Sequence, residues 1–377
     1  MNNVERDFTR MSKNNYLFAS YDLLLRSLLY SGFLPAESPD EATGIGLEQK
    51  LSIRCMISES SNVGRILMTA RRPELAIYPL AVCLLLSTVH AADKATRELG
   101  FTLQPQRQFL RLPQGFGLAE CSAVAVNKKR EIYLFHRGPR PILCFDADGK
   151  FLRAWGDELI KTAHGLRVDR DDNVWVTDVG SSRVYKFDPT GKPLLSLGTG
   201  VAGTGKDQFD EPTDIAFGPK DEVYISDGYG NSRVMKFNQE GTFISSWGTP
   251  GVEKGQFHLP HSIIVDGEGR VLVGDRENNR IQVFDGDGKW QATWKGFAPY
   301  GMALDADGRL FVADGRAGQV LLLDDNGKVK KRWGRQGEGV GQFQMPHMLA
   351  FDAEGNLFVA EVDGKRLQKF TRKSTTP

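Results

Sequence analysis

Residues 173–192 read NVWVTDVGSSRVYKFDPTGK. An apolar run closes on Asp178, a Gly turn follows, and Arg183 opens the alternating stretch Val184-Tyr185-Lys186-Phe187, which ends at a Gly-Lys turn. Period-two alternation between Gly and Asp turns is the pattern of short antiparallel strands. The phrase recurs along the chain as EIYLFHRG (131–138), EVYISDGYGNSRVMKFNQEG (222–241), RVLVGDRENNRIQVFDGDGK (270–289), RLFVADGRAGQVLLLDDNGK (309–328) and NLFVAEVDGKRLQKF (356–370). The residues closing the apolar runs are Arg137, Asp178, Asp227, Asp275, Asp314 and Glu361, at intervals of 41, 49, 48, 39 and 47. Units of about 45 residues have the length of a four-stranded propeller blade. No helical period is evident after residue 100, so the sequence predicts an all-β, six-bladed β-propeller over residues 100–372. The sixth unit stops near Phe370, short of a fourth strand. Gln108-Phe109-Leu110-Arg111-Leu112 is expected to supply that strand from the N-terminal side, closing the ring and hiding a sheet edge.

The chain has 377 residues and a formal charge of +1, which argues against a phosphate-binding surface; nucleic acid is not an expected partner. Residues 1–67 differ from the rest. Their apolar stretch, Tyr16 to Leu34, contains Asp22 and Arg26 and reads as an amphipathic helix rather than a span. From Met68 the order is Arg71-Arg72, an apolar run from Leu75 to Val89, and Val89-His90-Ala91 before Ala92. This is the layout of a secretory signal over 68–91. Either translation starts at Met68 and residues 1–67 are a gene-start artefact, or the apolar run anchors a longer form; a buried core helix is a third reading. The first is favoured, because a run of roughly 15 residues is short for a stable span. The first two readings put everything after Ala92 outside the cytoplasm, secreted or periplasmic. Cys121 and Cys144 then remain, both within one unit, and are expected as buried free thiols.

Counting back 14 residues from each landmark gives Ala123, His164, Thr213, His261, Tyr300 and His347. The chain has six histidines, and three fall at this point of alternate units. In a six-bladed ring those units lie about 120° apart, and the position precedes the innermost strand. Three imidazoles converging on the axis would form a three-coordinate face for a divalent metal, zinc above others, with an open fourth position. A packing preference of the repeat is the plainer explanation, but it would not skip every second unit. His136 and His258 lie off the register and read as surface or supporting groups. Arg137, Tyr229 and Arg276 follow the landmarks and are expected at the same mouth, where a tyrosine near a cation can act as a base and an arginine can fork a carboxylate. Read alone, Tyr229 would be a buried aromatic and the arginines partners of the repeat aspartates.

With these residues in hand, the stretches HGLRVDRDDNVWVTDVGSSRVYKFDP (164–189), EPTDIAFGPKDEVYISDGYGNSRVMKFNQEGTFISSWG (211–248), GQFHLPHSIIVDGEGRVLVGDRENNRIQVF (255–284) and MPH (345–347) resemble the lyase domain of peptidylglycine α-amidating enzymes, peptidyl-α-hydroxyglycine α-amidating lyase, an NHL-repeat propeller. The resemblance covers about residues 101 to 371. It implies a catalytic zinc on His164, His261 and His347, with Tyr229 and Arg137 in the active site and Arg276 and Met345 at the substrate. The implied reaction splits a peptide ending in α-hydroxyglycine into a peptide amide and glyoxylate. Zinc would acidify the substrate hydroxyl, Tyr229 would take its proton, Arg137 would hold the phenolate and Arg276 would orient the terminal carboxylate.

The family also carries a structural calcium on two backbone carbonyls, matching Val124 and Leu166, and on an Asp matching Met348. A thioether is a poor calcium ligand, so calcium is expected weak or absent. The cysteines of two disulfides in the animal enzymes correspond to Asp210, Gly230, Leu272 and Val283. The copper monooxygenase fused to the animal enzymes has no counterpart in this sequence, so a separate monooxygenase would supply substrate to what is expected to be a monomer. Two alternatives remain open from the residues: a non-catalytic NHL propeller that binds a protein or peptide, and another propeller enzyme such as a lactone hydrolase.

Overall fold

The computed structural model describes residues 100–375; the expected signal at 68–91 and the extension at 1–67 lie outside the described residues. Among the described residues no helix is long and apolar enough to cross a membrane. The chain folds into six four-stranded antiparallel sheets, each with strands in sequence order apart from the last. These are the blades of a β-propeller, at residues 121–155, 163–197, 212–247, 260–295, 299–333 and 346–374. The first strand of each blade, Cys121–Val126, Ala163–Val168, Pro212–Phe217, Pro260–Val265, Pro299–Leu304 and Pro346–Phe351, packs against the first strand of the next around a closed ring.

The Asp-Gly phrases make the outer hairpins. In the turn after Phe284, Asp285 Oδ1 accepts from the backbone N–H groups of Asp287 and Lys289 at 3.0 and 2.9 Å, while Gly288 takes φ 83°, which a side chain would resist. The alternation then sends apolar side chains into the seams between blades. The seam of blades one and two buries Tyr133, Phe135, Val174 and Phe187, and that of two and three buries Trp175, Phe209, Ile225 and Met235. A fully buried aromatic or branched side chain contributes about 2–3 kcal/mol relative to exposure. The core is therefore a set of radial walls that hold the innermost strands rigid. Cys121 and Cys144 are buried in these walls as free thiols.

Two expectations need correction. The closing strand is Phe101–Pro105, which pairs with Arg366–Ser374 from Phe101↔Ser374 to Pro105↔Phe370. Phe101 and Leu103 are the inward pair of that strand. Residues 108–112 do not continue it: the ladder ends with Gln106 N donating to the Lys369 carbonyl at 2.8 Å, and Gln108 then turns the chain away at φ 47°. Phe109, Leu110 and Leu112 instead pack on the apolar seam between blades six and one.

In blade one the landmark is His136, not Arg137. Its pairing partner is Cys121, as Asp178 pairs with Ala163 and Asp275 with Pro260. Function follows register. Asp178, Asp227, Asp275 and Glu361 each accept a backbone N–H from 17 residues earlier, and His136 Nδ1 does the same from Ala119 at 3.1 Å. A neutral imidazole has replaced a carboxylate as the acceptor. His136 is thus buried rather than superficial, whereas His258 is exposed. The equivalent of the three register histidines in blade one is therefore Ser122, one residue before Ala123.

Candidate metal centre

Each innermost strand slips its pairing at one point near its start: at Ser122, His164, Thr213, His261, Tyr300 and His347. A bulge re-aims the residue it contains. In blades two, four and six that residue is histidine. His164, His261 and His347 are buried, and their ligating nitrogens lie within 4.8 Å of one another. The Nε2 atoms of His164 and His261 are 3.2 Å apart, and the ring centroids are 4.7 to 4.9 Å apart.

The intervening blades fix the rings. His164 Nδ1 donates to the carbonyl of Thr213, His261 Nδ1 to that of Tyr300, and His347 Nδ1 to that of Ser122, all at 2.6 Å. A carbonyl only accepts, so each Nδ1 carries the proton and each Nε2 presents a lone pair inward. Burial strips water from the imidazolium form and pushes all three pKa values well below the usual histidine range, that of His347 to about 3. The His347 imidazole and the guanidiniums of Arg137 and Arg276 act in the same direction at His164. Three neutral nitrogen donors with convergent lone pairs suit a divalent cation of zinc's preference, with one side left for another ligand.

That side is occupied by Tyr229. Its hydroxyl is 3.1 Å from His164 Nε2 and 3.2 Å from His261 Nε2. Arg276 leans on it: Nη1 is 3.4 Å from the Tyr229 hydroxyl, and the guanidinium carbon lies 4.8 Å from the Tyr300 ring centroid and 5.5 Å from that of Tyr229. Its Nε donates to Glu277 Oε1 at 2.8 Å, and Glu277 in turn pairs with Arg316. Tyr300 had a place in the register but no role. It reaches this position because blade five carries Gly315 where blade four carries Arg276; a Cβ there would come within 2.6 Å of the Tyr300 ring. That glycine was the available signal.

Arg137 behaves differently from expectation. It stands on blade one, opposite Arg276 on blade four, and is exposed, with Nε donating to the Ala163 carbonyl at 3.3 Å. Among the described residues it makes no hydrogen bond to Tyr229; the arginine that touches the phenol is Arg276, because Tyr300 and Glu277 fix its course. Met345 sits two residues before His347 in a left-handed turn, φ 54°, and its carbonyl accepts from Val362 N at 3.1 Å. Beside Arg316, residues Asn279, Gly296, Phe297, Ala298 and Ala317 line an open depression of about 500 Å³.

Met348, at the position implied for a calcium carboxylate, is buried in an apolar cluster with Ala123, Phe135 and Leu166. The residues at Val124, Leu166 and Met348 do not fit that cation.

Known proteins resemble this chain as follows. The NHL repeat family matches residues 209–237 and 257–284. Rat peptidylglycine alpha-amidating monooxygenase is 36% identical over 204 residues, covering 45% of this chain and 21% of that protein. The Drosophila melanogaster protein named peptidyl-alpha-hydroxyglycine alpha-amidating lyase 1 is 33% identical over 205 residues, 44% of this chain and 38% of its own. Mouse NHL repeat-containing protein 3 is 39% identical over 178 residues, 43% and 51%. The chain thus spans about half or less of the length of these relatives. Among solved structures a streptogramin B lyase superposes with a TM-score of 0.55 at 15% identity, over 73% of this chain and 99% of that one, a likeness of fold alone.

Proposed function

We propose that the chain is a zinc-dependent carbon–nitrogen lyase that cleaves a peptidyl-α-hydroxyglycine, or a related N-acyl-α-hydroxyglycine, into an amide and glyoxylate. The observation that carries this reading is the convergence of the three histidines with the Tyr229 hydroxyl 3.1 and 3.2 Å from two of their Nε2 atoms. It is supported by the similarity to proteins named amidating lyase. Zinc held by His164, His261 and His347 would supply a Lewis acid that polarises the substrate hydroxyl.

The chain's own groups do the rest. Tyr229 takes the hydroxyl proton as the C=O of glyoxylate forms and the C–N bond breaks; the bond's electron pair goes to nitrogen, and Tyr229 returns the proton there to give the amide. Arg276, already 3.4 Å from the phenol oxygen, stabilises negative charge on it. Arg137, exposed on the opposite blade, receives the carboxylate of the glycine moiety with its guanidinium fork. This division exchanges the roles that the resemblance implies for the two arginines. The acyl chain leaves over the depression beside Arg316. The protein would work outside the cytoplasm, as the 68–91 signal implies, on substrate supplied by a separate monooxygenase.

The test is metal analysis of the purified protein followed by incubation with a hydroxyglycine-capped peptide and assay for glyoxylate. Equimolar zinc and stoichiometric glyoxylate are the expected results. Zinc without glyoxylate removes the substrate assignment and leaves the metal centre.

A further inference from the structure

Aligned on the bulges, the six innermost strands reveal a pair of charges that no other blade shares. One residue past the bulge the blades carry Ala123, Gly165, Asp214, Ser262, Gly301 and Met348; three residues past it they carry Ala125, Arg167, Ala216, Ile264, Ala303 and Ala350. Asp214 is the one acid in the first set and Arg167 the one base in the second. They find each other: Arg167 Nε and Nη2 donate to the two oxygens of Asp214 at 3.0 and 2.6 Å. Asp214 is wholly buried and Arg167 16% exposed.

The contacts extend across the ring. Arg167, on blade two, also donates through Nη2 to the carbonyl of Met302 on blade five, at 3.2 Å. Blades two and five stand opposite each other, so the side chain crosses the axis. Asp214, on blade three, accepts in addition from the backbone N–H of Ile263 on blade four, at 3.1 Å. One ion pair therefore ties blades two, three, four and five beneath the imidazoles. A bidentate guanidinium–carboxylate pair with every other contact to backbone is the geometry in which burial of both charges is offset.

We propose that the Arg167 guanidinium is the propeller's axial cation, a covalent substitute for a structural metal ion, and that this protein neither binds nor needs calcium at its core. The carboxylate that a cation requires lies on blade three rather than blade six, and it is already neutralised. Blade six offers Met348, a thioether packed among apolar side chains.

Two measurements test this without recourse to catalysis. Zinc-loaded protein, dialysed free of other metals, is titrated with calcium chloride to ~10 mM, about ten times the weakest dissociation constants of protein calcium sites. The expected result is no binding isotherm and no change in Tm; one equivalent of bound calcium, or a Tm that climbs with calcium, overturns the proposal. In parallel, Arg167→Met is expected to lower Tm by roughly 10 °C, because it leaves a buried carboxylate unpaired, while Arg167→Met combined with Asp214→Leu recovers most of that loss. A single variant that melts like the wild type shows that the guanidinium braces nothing. If that variant fails to fold, the wild-type titration still decides.

Discussion

At the bulge, blades two, four and six differ consistently from blades one, three and five, and the difference divides the labour of the site. The even blades place an imidazole at the bulge. The odd blades place Ser122, Thr213 and Tyr300 there, and offer the bulge carbonyl to the imidazole of the preceding blade. A six-fold scaffold has thus become a three-fold one: three imidazoles alternate with three acceptors, and each acceptor fixes which nitrogen of its neighbour carries a proton. The ligand role depends on the side chain, whereas the acceptor role depends on the backbone. Substitution should therefore be severe in even blades and mild in odd ones.

The largest expected effect is at the even positions. His164→Ala, His261→Ala or His347→Ala should each abolish zinc binding, seen as loss of the equimolar metal by elemental analysis, and reduce glyoxylate release to background. Next is Tyr229→Phe, expected to keep its zinc and lose roughly 10²- to 10⁴-fold in kcat, the usual weight of a positioned proton-transfer group; unchanged turnover would remove Tyr229 from the chemistry. The arginines should separate kinetically. Arg276→Gln lowers kcat and Arg137→Gln raises KM, each by roughly 10- to 100-fold, the worth of a charged hydrogen bond. The reverse pattern would restore the assignment implied by family resemblance.

Smaller effects sharpen the odd-blade half. Thr213 Oγ1 binds Ser226 and the Pro260 carbonyl at 2.7 Å each, so Thr213→Ala should cost about 1–3 kcal/mol of stability by denaturant melting while zinc stoichiometry stays at one. In blade one, Arg153 holds the Glu131 carboxyl at about 2, well below its ordinary 4.5. A carboxyl depressed in the folded state contributes stability that is complete above pH 4.5 and disappears as the pH falls toward 2. Glu131→Gln should therefore reduce stability by about 1 kcal/mol at pH 7 and match the wild type near pH 2.

The sequence made the blades and the three convergent histidines legible because both are periodic: a turn phrase every 45 residues or so, and histidine at every second copy. It misled where periodicity was broken by substitution. In EIYLFHRG a histidine does the work of an aspartate, and nothing in the letters says that His136 accepts a backbone N–H through Nδ1; the landmark slid to Arg137 and the register with it. The closing strand was similarly hard to place, since 101–105 and 108–112 both carry apolar residues two apart, and the choice depended on the backbone turn at Gln108. The Arg167–Asp214 pair was readable in principle as lone charges at positions occupied elsewhere by small or apolar residues, but only after the bulges had fixed the alignment. Which arginine faces Tyr229 depended on Gly315 and Tyr300, two residues that matter through the space they leave and fill.

The sixth blade is assembled from both ends of the described chain, Phe101–Pro105 beside Arg366–Ser374, and it carries His347. The acceptor for that histidine lies 225 residues away at Ser122. During synthesis, His164 and His261 emerge first as an incomplete pair, and the third histidine takes its place only when the last strand has docked on the first. If the centre holds the proposed zinc, metal capture in its final geometry would report that the ring has closed, and a chain cut short before Arg366, or trimmed past Phe101, would lose its hold on the ion before losing most of its blades.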